Sequence, residues 1–278
     1  MALTPTDATG ELVAANRARS RVSLTVADHE GVARPRRLAE EGSLRLRFPA
    51  ACAGAQEAVL VNTAGGIAGG DHLTIDLALE ERARLVVTTA SAEKIYRSES
   101  APAALAVTAT LAEGAALTWL PHETILFDRA RLIRSFDIDL APTARLLFAE
   151  AVVFGRTAMG ETVRDGLFAD RWRVRRGGRL IFAESFRLDG AIAERLAEKA
   201  VAAGQVALAT VLAVPGDDVM TEAVRALAGT FRGEVGFSAW NGLALARLAA
   251  PDGAALRHDL TLLLAVLGRA PLPRLWLN

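Results

Sequence analysis

Residues Asn62 to Ser98 read NTAGGIAGGDHLTIDLALEERARLVVTTASAEKIYRS, and this stretch decides the fold class. It opens with a cluster of four glycines, Gly65, Gly66, Gly69 and Gly70. Glycine permits positive φ and close approach of other backbone, so the cluster predicts a tight turn. After Asp71, aliphatic residues alternate with polar or small ones up to Leu79, which is the pattern of a half-buried strand. The stretch therefore predicts a turn that leads into a strand, with Asp71 presented between two extended segments.

Two nucleotide-binding motifs are excluded at this turn. Gly65 and Gly70 have the spacing of a phosphate-binding loop, but Asp71 and His72 stand where that loop needs Lys and Ser or Thr. The dinucleotide fingerprint G-x-G-x-x-G is absent, and a strand rather than a helix follows the turn. The four histidines are scattered without the spacing of a metal site, and His72 is notable because it adjoins Asp71. A glycine hairpin with a solvated Asp71 remains an alternative to a functional site.

The composition limits the possible partners and compartments. The 278 residues have a formal net charge of zero at pH 7, so no broad basic field attracts nucleic acid. Cys52 is the only cysteine, which excludes a disulfide framework and a cysteine-based metal site within one chain. The N-terminus lacks the pattern of a secretory signal, and the apolar run from Leu260 to Leu267 is too short to span a bilayer. We expect a cytoplasmic protein that binds neither nucleic acid nor a membrane.

Strand patterns recur along the first two thirds of the chain, separated by turn residues such as Glu113-Gly114. The predicted strands are Arg21–Ala27, Ser43–Phe48, Gln56–Asn62, His72–Leu79, Arg84–Ala90, Leu105–Leu111, Ala115–Leu120, Leu132–Leu140, Ala144–Phe154, Leu167–Arg175 and Arg179–Phe186. Between the first two strands, Gly31 to Arg37 is predicted to be a basic surface loop. Strands that follow one another without helices indicate stacked antiparallel sheets or a coiled β-architecture rather than βαβ units.

The last third has a mixed pattern. Helices are predicted over residues 191–203, 219–228 and 255–268, a buried strand over 205–214 and extended chain over 233–249. The predicted fold class is therefore mainly β with a few helices in the last third, built from stacked or coiled β-sheets. We expect a flexible N-terminal segment over residues 1–18 and a single domain over residues 19–278.

Three glutamates lie within apolar, strand-like stretches: Glu123, Glu150 and Glu184. An unpaired charge in the interior costs several kcal/mol, on the order of the values known for broken buried ion pairs. Each glutamate is therefore either on the solvent face of its strand or buried with a partner. In the second case, the three would surround a polar cavity or channel and pair with cations such as Arg156 or Lys94.

Several short motifs follow one another along the chain. They are Gly65-Gly66-x₂-Gly69-Gly70-Asp71, Thr88-Thr89, Lys94-x-Tyr96-Arg97, Leu120-Pro121-x-Glu123-x-Ile125-x-Phe127, Glu150-x₄-Gly155-Arg156-x₃-Gly160-Glu161, Trp172-x-Val174, Glu184 and Pro273-Arg274-x-Trp276. Each motif alone is unspecific, but in this order and spacing the chain resembles the UreD family of urease accessory proteins, called UreH in some systems. The resemblance covers residues 18 to 278.

The resemblance implies a non-enzymatic maturation factor. Proteins of this family bind apo-urease and recruit the accessory protein UreF, which in turn receives the nickel-carrying GTPase UreG. The resemblance also implies a β-rich, helically stacked fold whose polar interior conducts nickel toward the urease site. It implies no tightly bound cofactor, and nickel would be present only as a transient ion.

The same resemblance implies which residues serve the function, and none of them is catalytic. The candidate nickel or channel residues are Asp71, Glu184, Glu150 and His72. The candidate supporting or docking residues are Lys94, Arg156, Glu161 and Glu123. Carboxylates bind a divalent nickel ion more weakly than imidazole or thiolate does, so this set suits transit better than storage.

Two other functions remain open at this point. A small-molecule enzyme would use paired carboxylates such as Asp71 and Glu184 for acid–base chemistry. A structural adaptor without a channel would leave its carboxylates solvated. The apolar tail from Leu267 to Leu277 is the candidate for an exposed docking surface.

Overall fold

The computed structural model of the chain describes residues 17–49, 55–99, 101–268 and 272–276. Most of this described chain is β-strand, as predicted, and its three α-helices lie in the last third. The strands are β1 (Arg19–His29), β2 (Val32–Glu41), β3 (Leu44–Arg47), β4 (Gln56–Asn62), β5 (His72–Leu79), β6 (Arg84–Thr89), β7 (Glu93–Ile95), β8 (Ala103–Leu111), β9 (Ala116–Leu120), β10 (Thr124–Leu126), β11 (Arg131–Leu140), β12 (Arg145–Phe154), β13 (Gly166–Arg176), β14 (Arg179–Gly190), β15 (Ala207–Val214), β16 (Glu234–Trp240) and β17 (Leu243–Ala250). The helices are α1 (Ile192–Ala197), α2 (Asp218–Arg225) and α3 (Gly253–Leu267). The segment predicted to be flexible lies outside the described residues except for residues 17 and 18.

The strands form two sheets that face each other. Sheet A has the order β14-β13-β11-β8-β5-β1-β2, and sheet B has the order β16-β17-β15-β12-β9-β6-β4-β3, with β10 beside β12 and β7 beside β10. From β4 to β13 the long strands alternate between the sheets, so each coil of the chain contributes one strand to each. Successive coils pair in parallel, for example β5 with β8 and β6 with β9. The coiled β-architecture is therefore confirmed, and antiparallel pairs such as β13 with β14 lie toward the ends of the sheets.

The apolar side chains that recur at every second position of the strands fill the space between the sheets. In β5 the leucine and isoleucine side chains are buried, and the side chains between them are partly or fully exposed. Aromatic residues meet at the centre, where the rings of Trp119 and Phe148 stack with centroids 5.5 Å apart and Phe136 and Trp172 contact Phe148 edge-on. Burying one such side chain contributes about 1.5–3 kcal/mol, so a strand shifted by one residue would expose a whole apolar row.

A second apolar layer covers the outer face of sheet B. Helix α3 buries Leu256, Leu260 and Leu263 there, at the spacing of one helix face. The helix begins after Asp252, whose carboxylate accepts a hydrogen bond from the backbone N–H of Ala255 at 2.8 Å. Helices of the described chain are all too short or too polar to cross a bilayer.

The C-terminal tail is packed into this outer layer. The Trp276 side chain is buried, and its Nε1–H donates a hydrogen bond to the Leu120 carbonyl at 2.9 Å. The guanidinium of Arg257 lies 4.6 Å from the centre of a Trp276 ring. For residues 272–276, the prediction of an exposed docking tail is therefore wrong, because Trp276 has an intramolecular site; the rest of the tail beyond Gly268 lies outside the described residues.

Strand β2 occupies the position predicted to be a basic loop at residues 31–37. It lies at the edge of sheet A beside β1, and the side chains from Arg34 to Ala39 are all exposed. Because no alternate face of this segment is buried, its sequence lacks the period-two signal. The register against β1 also shifts at Arg36, which leaves a bulge next to Pro35.

Trp276→Ala is expected to lower the free energy of unfolding by about 3–5 kcal/mol, because it empties a buried aromatic site and leaves the Leu120 carbonyl without its donor. Trp240→Ala is the matched control, since Trp240 is 41% exposed, and it should change stability by about 1 kcal/mol or less. Urea unfolding of both variants measures the difference, and equal losses would contradict the inserted tail.

Candidate functional site

A cavity of about 280 Å³, lined by apolar as well as polar and charged side chains, lies between the two sheets. Its charged and polar lining residues are Arg134, Glu150, Asp170, Glu184, Thr210, Glu234 and Arg247. Strands β14 and β16, which carry Glu184 and Glu234, are the outermost strands of their sheets at this side of the described chain. The cavity therefore extends from the packed core to the open side of the two-sheet sandwich.

Arg134 forms the inner end of the cavity. Its position in β11 belongs to the buried row that includes Leu132 and Phe136. The guanidinium donates hydrogen bonds to Glu150 on β12 and to Asp170 on β13, the latter at 2.7 Å. Arg134 and Asp170 belong to sheet A and Glu150 to sheet B, so this charged group connects the sheets through the core. A buried charge of either sign needs such a partner, because leaving it unpaired is strongly destabilising.

Glu150 has a strongly altered acidity. Its carboxylate also accepts a hydrogen bond from Trp119 Nε1–H at 2.7 Å. Burial raises the pKa of Glu150 from 4.5 to about 7, even though Arg134 and the indole N–H both favour the ionised form. Two carboxylates share one guanidinium here, so protonation of Glu150 gives the buried group a net charge of zero.

Glu184 and Arg247 form the outer end of the cavity. Two nitrogens of the Arg247 guanidinium donate to the two carboxylate oxygens of Glu184 at 2.8 and 3.0 Å. Glu184 lies on β14 of sheet A and Arg247 on β17 of sheet B, so this bidentate pair also connects the sheets. Two residues predicted to face a polar interior, Glu150 and Glu184, thus line the same cavity.

Asp71 and His72 lie at the glycine turn. One Asp71 oxygen accepts the backbone N–H of Ala18 at 2.9 Å, and the other accepts that of Ala68 at 2.8 Å. Asp71 therefore stabilises the turn that its neighbouring glycines allow. His72 is exposed, with Nδ1 3.0 Å from the carbonyl oxygen of Gly70. Within the described chain, the cavity lining includes neither Asp71 nor His72, so the structure separates these two residues from Glu150 and Glu184.

The four predicted supporting residues occupy three separate places. Lys94 is exposed on β7. Arg156 and Glu161 form an ion pair at 2.8 Å, and hydrogen bonds from Arg156 lower the pKa of Glu161. Glu123 lies 3.6 Å from Arg257, the arginine that contacts the C-terminal tail. Their roles in docking or nickel transit stay predictions.

Two residues at the inner end of the cavity, Arg134 and Asp170, were not predicted as site residues. Each stands in the apolar phase of its strand, Arg134 beside Phe136 and Asp170 beside Trp172. A charged residue at a position whose neighbours two residues away are buried apolar side chains is the available signal. In the sequence this signal is visible as large apolar residues two positions before and after each charged residue.

The lining of the cavity favours cations. Four carboxylates face two guanidinium groups, which gives a net negative formal charge. The Oδ1 atom of Asp170 is buried without a hydrogen-bond partner among the described residues, so it is available as an acceptor. In the same part of the chain, no group of three or more His, Cys, Asp or Glu side chains is arranged to hold a metal ion.

Comparison with known proteins connects this structure to one family. Residues 18–277 match the family described as UreD urease accessory protein. The chain is 53% identical over 274 residues to urease accessory protein UreD 3 of Bradyrhizobium sp. strain BTAi1, which covers 99% of both chains. It is 56% identical over 269 residues to urease accessory protein UreD of Rhodopseudomonas palustris strain BisA53, which covers 96% of this chain and 93% of that protein.

Arg134→Met is expected to lower the free energy of unfolding by about 3–5 kcal/mol, because it leaves Glu150 and Asp170 buried without their shared cation. Arg175→Met is the matched control, since Arg175 forms exposed ion pairs with Asp137 and Asp139 at 3.9 and 3.7 Å, and such pairs contribute about 0–1 kcal/mol. Denaturant unfolding compares the two variants. A small effect at Arg134 would contradict the structural role of the charged group.

The contribution of Glu150 to the free energy of unfolding should fall as the pH rises from about 4.5 to about 7, since protonated Glu150 favours the folded state and its folded pKa is about 7. Below that range, Glu150 is protonated in both states and its contribution is constant. Burial also raises the pKa of Glu93 to about 7, so Glu93→Gln serves as the comparison. Each substitution should remove part of the slope, up to about 1.4 kcal/mol per pH unit for one proton. Urea unfolding between pH 4 and 8 tests this, and an unchanged slope in Glu150→Gln would contradict it.

Proposed function

Because this chain belongs to the UreD family of urease accessory proteins, a non-catalytic family that acts in urease maturation, we propose that it binds apo-urease and enables nickel insertion. It acts together with UreF and, through UreF, with the GTPase UreG, in the cytoplasm. The match over nearly the whole chain to a family of urease accessory proteins is the observation that carries this proposal. Nickel is the cargo in this function and does not reside in the protein.

The cavity between the sheets is the proposed route for the nickel ion. Its net negative charge attracts a divalent cation, and its carboxylates are spread from Asp170 at the inner end to Glu184 at the outer end. Oxygen ligands bind nickel more weakly than imidazole or thiolate, and Arg134 and Arg247 compete for the same oxygens. Both properties favour passage of the ion over storage.

A structural adaptor remains the second candidate, since Glu184 and Glu150 also connect the sheets through their arginine partners. An enzyme that pairs Asp71 with Glu184 has no support, because the family is non-catalytic and Asp71 is held in the glycine turn by two backbone N–H groups. Conduit and adaptor differ in whether the charge of the cavity matters once the complex has assembled.

Glu184→Gln keeps the size of the side chain and removes its charge, so it tests the conduit directly. We expect urease activation by the purified accessory complex to fall several-fold while the variant still co-purifies with UreF and apo-urease. Glu222→Gln is the matched control, because Glu222 forms an exposed pair with Arg225 on α2, and it should leave activation unchanged.

The outcomes separate the candidates. Unchanged activation by Glu184→Gln would support the adaptor and reject the conduit. Failure of the wild-type chain to co-purify with UreF and apo-urease would reject the proposed partners. Loss of both assembly and activation in Glu184→Gln would assign a structural role to the Glu184–Arg247 pair.

A further inference from the structure

The cavity reaches the surface between two strand edges. Strand β14 ends the order of sheet A and β16 ends that of sheet B within the described chain, and both contribute to the lining. Backbone at such an edge has no neighbouring strand to cover it. A small solute can therefore reach the cavity here without any break in a sheet.

One row of residues across sheet B leads from the core to this edge. Glu150 on β12 is paired with Thr210 on β15, Thr210 with Arg247 on β17, and Arg247 with Gly236 on β16. All four line the cavity. The row is polar from the buried charged group outward and ends at a residue without a side chain.

Gly236 marks the place where the row opens. A Cβ atom added at this position would meet no atom within 4 Å, so packing inside the protein does not require glycine there. Glycine in a strand interior weakens the strand, and it often marks a site where a ligand approaches the backbone closely. The missing side chain leaves the outer end of the row uncovered.

Arg247 lies outside Glu184 and covers it. The Arg247 side chain is 56% exposed, whereas the Glu184 side chain is 12% exposed. The two guanidinium contacts occupy both oxygens of the carboxylate. A cation that approaches from solvent therefore meets the positive charge of Arg247 before it reaches Glu184.

The inner end of the cavity has a free acceptor. Asp170 is 9% exposed, and its Oδ1 atom has no hydrogen-bond partner among the described residues. Its other oxygen is bound to Arg134. A cation past Glu184 thus meets a second carboxylate oxygen that no protein donor within the described chain occupies.

We infer that Gly236 lies at the mouth of the cavity, where it opens to solvent, and that Arg247 is the guard of this mouth. The guanidinium of Arg247 is a cation fixed to the chain, and it competes with an incoming ion for the Glu184 carboxylate. This inference rests on the proposed function of the cavity as a route for a divalent cation. The long Arg247 side chain leaves Glu184 when the ion arrives, because two cations at one carboxylate repel each other. The Arg247 side chain is 56% exposed, so water can solvate its guanidinium once it leaves the carboxylate. The ion then moves inward to Asp170.

Cysteine labelling tests the mouth without urease. Thr210→Cys in a Cys52→Ser background places one thiol in the middle of the row, and its modification by a cationic and a neutral methanethiosulfonate reagent is measured on the full chain in its accessory complex. Gly236→Leu should slow both reagents, because the leucine side chain fills the mouth. Gly236→Ala is the matched control and should leave both rates unchanged.

Arg247→Gln tests the guard in the same assay. Removing its charge should speed the cationic reagent about tenfold more than the neutral one, which corresponds to a charge several ångströms from the path. Equal effects on the two reagents would contradict the role of Arg247 as the guard. Unchanged labelling in Gly236→Leu would contradict the position of Gly236 at the mouth. Slower labelling in Gly236→Leu with unchanged urease activation would leave the mouth standing and reject the nickel route.

Discussion

The pairing of Arg134 with Glu150 and Asp170 is the constraint on which the interior depends. The guanidinium of Arg134 binds a carboxylate on either side, so β11, β12 and β13 must all turn these positions inward at the same level. Aromatic side chains enclose the group, with Arg134 5.1 Å from the Phe136 ring centre and 5.4 Å from that of Phe168. The cavity starts at this charged group, where apolar side chains no longer fill the space between the sheets.

The fold class could be predicted because a strand with one buried face shows apolar residues at every second position, and this pattern is visible within each strand by itself. The pairing of strands could not, since parallel and antiparallel neighbours bury the same alternate residues. Strand β2 was missed for a related reason: its side chains from Arg34 to Ala39 are exposed, so no alternation exists to be read. Helix α3 was predicted over residues 255–268 and spans Gly253–Leu267, since its long apolar run favours a helix; the cap at Asp252 was not part of the prediction.

The site could be predicted in part. Glu150 and Glu184 were identified because carboxylates within apolar strands need partners, but Arg134 and Asp170 stand in the same phase and were passed over. Asp71 drew attention through its glycines, and those glycines serve folding: a Cβ on Gly66 would come within 2.4 Å of the Tyr96 ring. The sequence alone does not distinguish a carboxylate that stabilises a turn from one that lines a cavity. The difference depends on which backbone and side-chain groups the fold brings next to the carboxylate.

The edge strand β2 has a consequence for the solubility of a stack of parallel coils. Such a stack has no inherent end, because each coil offers the next chain the same row of backbone donors and acceptors that its neighbour uses. At β2 the ring of Pro35 removes one donor, and the bulge at Arg36 interrupts the ladder of backbone hydrogen bonds. This edge is therefore poorly suited to pairing with the backbone of a second chain, which opposes continued growth of the stack at β2.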